Sequence, residues 1–245
     1  MNLAIRILLA LAFLCPPTLF GEDNKEKADW GAIFRMHWLN RVKLFQEQNQ
    51  AWQHVVLLGD SITEGFDTAK YFPGYRILNR GIGGDVIGNE MAEGDPRGVL
   101  QRLDSSVFDC ATTDLFILIG INDLNSGRNV AQMERGYREL LTQIRKHSPM
   151  LRIHVQSVLP TGGERKQVNP SIVEFNVILR KMAKEFDCQY LDLHSLMKDG
   201  QGNLKAEFTE DGLHLKHEAY LVWRKAILDT LGWGIVGNSG SKPTL

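Results

Sequence analysis

The sequence predicts an α/β fold, a three-layer α/β/α sandwich whose five-stranded parallel sheet is covered by helices on both faces. Three observations predict it. Five short apolar runs alternate along the chain with stretches of helical periodicity. The first and third of those runs, VVLLG and DLFILIG, carry continuous apolar stretches rather than an alternation, as strands buried on both faces do. Glycine and short polar residues follow the runs, where a parallel sheet gathers its loops at the carboxyl ends of the strands. The chain of 245 residues, 43% hydrophobic and 23% charged, is long enough to bury one sizeable core. One domain over residues 30–235 is therefore expected.

The elements follow in order. Residues 1–21 read as a secretory signal peptide: Arg6 precedes an apolar stretch from Ile7 to Cys15, and Pro16-Pro17 ends it, with cleavage near Gly21. The stretch is too short to span a bilayer, so the expected location is secreted or periplasmic. Trp30, Ile33, Phe34, Trp38, Val42, Phe45 and Trp52 recur at steps of three and four, predicting an amphipathic helix whose aromatics serve as core packing. The strands are then VVLLG, RILNRG, DLFILIG, RIHVQSVLP and CQYLDLH. The helices between and after them are Arg97 to Val107, Asn129 to His147, Pro170 to Phe186 and Lys216 to Leu231. Residues 236–245, which end in the Gly/Ser-rich GNSGSKPTL, form a polar, loosely held tail.

Composition excludes several functions. The formal net charge is −1 and the basic residues are dispersed, so nucleic acid and anionic membrane are not expected partners. Beyond the signal segment, Cys110 and Cys188 read as free, buried thiols, and no Cys/His spacing suggests zinc. Neither metal nor cofactor is expected, nor is stable membrane insertion of the mature chain.

Chemistry concentrates at the ends of the runs. Gly59-Asp60-Ser61 ends the first, Gly81-Ile82-Gly83-Gly84-Asp85 the second, Gly120-Ile121-Asn122-Asp123 the third, and Asp211-Gly212-Leu213-His214 follows the fifth. Cleavage of an ester by serine needs a base, a group that orients the base, and donors for the developing oxyanion. Ser61 is the candidate nucleophile, His214 the base and Asp211 its orienting partner. The N–H groups of Ser61 and Gly84 and the amide of Asn122 are the candidate oxyanion donors. Asp60, Asp85 and Asp123 are expected to support the loops by accepting backbone N–H groups. His217 reads as a solvated or capping group, and His154 and His194 as satisfied histidines within or at the end of a strand. No constellation surrounds His37, His54 or His147.

The four blocks GDSITEGF, NRGIGGD, GIND and DGLHL, in this order, resemble the SGNH (GDSL) hydrolase superfamily. NRGIGGD, SVLP and GLHL followed by Ala219-Tyr220-Leu221-Val222-Trp223 look most like its platelet-activating-factor acetylhydrolase-like and bacterial acyl esterase branch. The resemblance implies a flavodoxin-type sandwich, a serine esterase mechanism through an acyl-enzyme, and the same assignment of Ser61, Gly84, Asn122, Asp211 and His214. It also implies a short acyl group, often acetyl. VIGNEMAEGDP departs from the short helical continuation expected after the second block, and it borders the predicted crevice. A small-molecule or glycan ester is the expected substrate. A short-chain lipid or lysophospholipid ester is the alternative, and a non-catalytic binding module on the same fold the third reading.

Overall fold

A computed structural model of the protein describes residues 29–49, 54–91 and 93–233. The proposed signal segment, Trp52 and the tail lie outside the described residues. The chain runs α1 (Trp30–Gln48), β1 (His54–Gly59), α2 (Ser61–Glu64), α3 (Thr68–Tyr71), β2 (Ile77–Gly81), α4 (Leu103–Ser106), β3 (Thr112–Leu118) and α5 (Ile121–Asn125). It continues with α6 (Val130–His147), β4 (Arg152–Gln156), α7 (Asn169–Glu185), β5 (Gln189–Leu191), α8 (Leu193–Met197) and α9 (His217–Thr230). Short 3-10 turns fill several of the connections.

The five strands form one sheet in the order β2-β1-β3-β4-β5, and every neighbouring pair is parallel. This is the flavodoxin-type order. It reverses between β1 and β3, so the crevice for a ligand opens beyond Gly59 and Leu118. Val55, Val56, Leu57, Leu58, Leu115, Phe116 and Ile117 are all at most 3% exposed. Helices therefore cover both faces of β1 and β3, which explains why those strands carry no polar alternation.

Two termini show how the sequence sets element boundaries. Asn129 accepts the N–H of Gln132, and the Gln132 side chain accepts the N–H of Asn129, a reciprocal cap that starts α6. Pro170 occupies the first turn of α7, where its missing N–H would have no intrahelical partner in any case.

Three sequence expectations are corrected. The helix expected from Arg97 to Val107 shrinks to the turn Leu100–Arg102 and α4, because the N–H groups of Val99 and Leu100 bond instead to the carbonyls of Val86 and Ile87. The fourth and fifth strands are shorter than their apolar runs. Val158 exchanges hydrogen bonds with the Asn176 side chain rather than a neighbouring strand, and Asp192 caps the N–H of Ser195, which turns the chain into α8. His194 consequently lies in that helix, with Nε2 buried and without a protein partner, and Cys188 is only half-buried.

One fully buried arginine ties the crevice end of the sheet together. Arg102 donates to the carbonyls of Gly59 at the end of β1 and Arg80 in β2, to the Ser106 hydroxyl, and to the Asp85 carboxylate at 2.8 Å. Burial raises the Asp85 carboxyl above its ordinary value, against the pull of Arg102 and of the N–H groups of Val86 and Gly98. Arg102→Met is expected to cost about 3–5 kcal/mol in urea unfolding at pH 8, since it strands a buried carboxylate. The loss should shrink at pH 5. A carboxyl raised in the folded state destabilises it progressively as pH climbs above the unfolded value of about 3.9.

Candidate active site

Gly59 ends β1 with no room for a side chain: a Cβ there would stand 2.3 Å from the Leu118 carbonyl oxygen and from Thr63 Oγ1. The chain therefore leaves the sheet tightly packed, and Asp60, 1% exposed, accepts the N–H of Ile62 at 2.9 Å to start α2. Ser61 is the first residue of that helix, so its own N–H has no intrahelical acceptor and is presented to the crevice. The Tyr220 hydroxyl donates to the Ile62 carbonyl at 2.9 Å and holds the turn from the α9 side.

The second half of the constellation arrives from far along the chain. Asp211 Oδ1 accepts the N–H groups of Leu213 at 2.9 Å and His214 at 2.8 Å, closing a tight local turn. Its other oxygen, Oδ2, accepts from His214 Nδ1 at 2.6 Å. With Nδ1–H pointed at the carboxylate, Nε2 is left to accept, and the Ser61 hydroxyl lies 3.0 Å from it. Burial alone would raise the Asp211 carboxyl, but the His214 ring and the two N–H groups outweigh it and hold the group well below the usual carboxylate range. Ser61, His214 and Asp211, separated by up to 153 residues in sequence, thus form one hydrogen-bonded chain.

The expected oxyanion donors border the same crevice. Gly84 takes φ +75°, and a Cβ on it would stand 2.8 Å from the Phe34 ring, so conformation and space both require glycine. Asn122 sits in the first turn of α5, at the end of β3, and one hydrogen of its amide is spent on the Asp85 carbonyl at 2.9 Å. Its second hydrogen remains for a ligand. Among the described residues, no protein acceptor takes the N–H of Ser61 or Gly84.

The supporting carboxylates differ from one another. Asp60 caps the nucleophile turn as expected, and Asp123 accepts the N–H of Ile87 at 3.1 Å, pinning the loop that follows Gly84. Burial pushes each of these two carboxyls up to about 7. Asp85 pairs with Arg102 in addition to facing the N–H groups of Val86 and Gly98. Of the departing segment, residues 86–91 and 93–96 form turns and irregular loop, not a helix. Its first residues, Val86 and Ile87, are buried, and Asn89 donates to the Gln132 carbonyl.

The remaining histidines stay outside the chain of proton-transfer groups. His154 bonds Asp114 and Gln189 at the opposite end of the sheet. His217 is exposed to solvent as expected, and it also pairs with the Tyr71 hydroxyl at 2.8 Å. His37, for which the sequence shows no constellation, lies against Glu64 beside the crevice. Among the described residues no group of three or more His, Cys, Asp or Glu is disposed to hold a metal ion, and no helix is long and apolar enough to cross a membrane.

Residues 57–222, more than half of the chain, match the model of the GDSL-like Lipase/Acylhydrolase family. The chain belongs to that family. As a GDSL-like acylhydrolase it is a carboxylic ester hydrolase, and the fold agrees with solved structures. It is similar to a Streptococcus pneumonia protein named for platelet activating factor, at TM-score 0.72 and 23% identity over 82% of this chain and 95% of that one. It is similar also to a GDSL-like lipase from Bacteroides thetaiotaomicron VPI-5482, at TM-score 0.64 and 19% identity over 84% and 100%. An acetylxylan esterase from Geobacillus stearothermophilus matches at TM-score 0.59 and 17% identity over 78% and 99%. Among curated proteins, an N-acylneuraminate cytidylyltransferase from Escherichia coli O18:K1:H7 is 25% identical over 213 residues, 86% of this chain. The GDSL-like chain spans 47% of that relative's length.

Proposed function

We propose that this acylhydrolase is a serine esterase that removes a short acyl group, acetyl above all, from an oxygen of a carbohydrate. The observation that carries the reading is the chain from Ser61 through His214 to Asp211, at 3.0 and 2.6 Å. In the acylation step the Ser61 oxygen bonds to the ester carbonyl carbon while its proton passes to His214 Nε2. The carbonyl electron pair moves onto oxygen, facing the N–H groups of Ser61 and Gly84 and the free amide hydrogen of Asn122. Collapse restores the carbonyl and breaks the bond to the alcohol oxygen, which takes the proton from His214. Water then repeats the sequence on the acyl-enzyme: His214 accepts its proton, the acid leaves, and the proton returns to Ser61.

Two observations support a short acyl group. The apolar space flanking the nucleophile turn, lined by Ile62, Ile121, Val158, Leu159 and Leu213, amounts to about 10 Å³. That is room for about one water-sized group, so this space beneath the nucleophile turn offers no channel for an extended alkyl chain. The segment after Gly84, VIGNEMAEGDP, is rich in glycine and acidic residues and forms no continuous apolar run for a long chain. The glycan half of the proposal draws support from the likeness to an acetylxylan esterase and to a protein named for an acylated sugar acid. The apolar segment at residues 7–15 supports an exported enzyme that meets such esters outside the cytoplasm.

A lipid ester is the second reading, favoured by Met36 and Leu39, 59% and 49% exposed on α1, whose other face carries His37 toward the crevice. Acyl length separates the two. The expected result is a higher kcat/KM for the acetyl than for the octanoyl ester of p-nitrophenol, and acetate release from acetylated glycans, with the Ser61→Ala protein as blank. A kcat/KM that climbs steadily to eight carbons or more would overturn the short-acyl reading in favour of the lipid ester.

A further inference from the structure

Phe34, His37 and Arg41 lie three and four residues apart on α1 and share one face of the helix. All three meet the loop that follows β2. Phe34 packs where a Cβ of Gly84 would be. Arg41 donates to the Gly81 carbonyl at 2.8 Å and its guanidinium lies 3.7 Å from Glu64. Between them, His37 Nε2 stands 3.0 Å from Glu64 Oε2, and that same oxygen accepts the N–H of Gly83 at 2.6 Å. The His37 and Glu64 side chains are only 12% and 8% exposed. One point fixes their placement against the nucleophile: a Cβ built on Gly83 would be 3.3 Å from Glu64 Oε2, 3.7 Å from His37 Nε2 and 3.8 Å from Ser61 Cβ.

The loop needs such a clamp for a physical reason. Gly83-Gly84 is the most freely rotating dipeptide a chain can contain, and a donor aimed at a transition state must already be fixed when charge develops. Glu64 fixes the peptide plane immediately before that of Gly84. Its carboxylate must therefore be ionised and held in one rotamer. Burial opposes ionisation, but His37, Arg41 and the Gly83 N–H together keep the carboxyl below its ordinary value. With Glu64 ionised, His37 Nε2 is the donor of their hydrogen bond.

We propose that His37 is a positioning residue for ester hydrolysis, holding the Glu64 carboxylate on Gly83 N–H so that the Gly84 N–H stays aimed at the oxyanion. This rests on the serine esterase reading, with Ser61 as nucleophile. It makes α1, which precedes the sheet and contributes no group to proton transfer, part of the transition-state apparatus.

The test uses the full chain and p-nitrophenyl acetate. Complete loss of a single oxyanion donor costs on the order of a hundred- to a thousand-fold, so a loosened one should cost about ten- to thirty-fold. His37→Ala is expected to lower kcat by that factor with KM within two-fold, and to weaken phenylboronic acid, whose tetrahedral adduct on Ser61 needs the same donors, in parallel. His37→Gln, which keeps an N–H for Glu64, should recover most of the loss. Glu64→Ala should match or exceed the loss in His37→Ala, and the double variant should be no slower than Glu64→Ala alone. A raised KM with unchanged kcat would overturn the proposal by making His37 a substrate contact. A lowered melting temperature with unchanged kcat and unchanged boronate inhibition would overturn it by making the pair structural only. Failure of the underlying reading would appear separately, as a Ser61→Ala protein as active as the parent.

Discussion

Ser61→Ala is expected to lower kcat for p-nitrophenyl acetate by about a million-fold while leaving the circular dichroism spectrum and the unfolding midpoint close to those of the parent. The size follows from what is removed. Without the hydroxyl no acyl-enzyme forms, His214 has no proton to take, and only water in the crevice can attack the carbonyl. The oxyanion donors remain, so a residual acceleration of about a thousand- to ten-thousand-fold over the uncatalysed reaction should survive. Stability should be nearly untouched, because the hydroxyl's partner is a ring nitrogen in a crevice where His214 is still 33% exposed. His214→Ala should lose about as much, and the double variant no more than either single one, because the two groups act as a unit. A double variant far slower than both would count against the pairing. A Ser61→Ala protein within ten-fold of the parent would refute the serine mechanism outright.

The architecture was legible where burial dictates residue type. Val55 to Leu58 and Leu115 to Ile117 could only be strands covered on both faces, and the family of loops after them had to meet at one edge of the sheet. The candidate triad was legible for a related reason. Gly59 is demanded by the carbonyl of Leu118 and Gly84 by the ring of Phe34, so the glycines beside the chemistry are imposed by close approach and are visible in sequence. Asp211 and His214 are three residues apart because the same carboxylate binds both the ring and the turn that carries it.

What escaped the sequence was decided by tertiary partners. Residues Arg97 to Val107 have helical periodicity, but a local pattern cannot show that Val99 and Leu100 will find carbonyls on the 86–87 loop, nor that Gly98 takes φ +129° against Gly88. Arg102 carries nothing in the sequence that sets it apart from the other dispersed basic residues. It is the residue that joins β1, β2 and Asp85. His37 showed no constellation because its partner is 27 residues away, in the unremarked fourth letter of SITE. A usable signal existed: Phe34, His37 and Arg41 place a histidine and an arginine on the same helical face as an aromatic expected in the core. Polar groups on a face that packs inward must find partners there.

The second large effect concerns the carboxylate. Asp211→Asn is expected to lower kcat by about ten-thousand-fold, although the substitution changes one atom and preserves shape. The Asn oxygen can still accept the N–H groups of Leu213 and His214, which keeps the turn. Its amide nitrogen then faces His214 Nδ1, where the carboxylate oxygen stood at 2.6 Å. A donor at that place forces the proton of the neutral ring onto Nε2, the atom that must accept from Ser61, so the chain is broken at its centre. Asp211 is held ionised far into acid, because the His214 ring and two N–H groups outweigh its burial. Stability gives the independent check. A carboxyl depressed in the folded state contributes stability above the unfolded value of about 3.9 and loses it as pH falls toward the folded value. The parent should thus be more stable than Asp211→Asn at pH 7, with the gap closing in acid. A variant that keeps a tenth of parental kcat would mean that His214 is oriented by something other than Asp211.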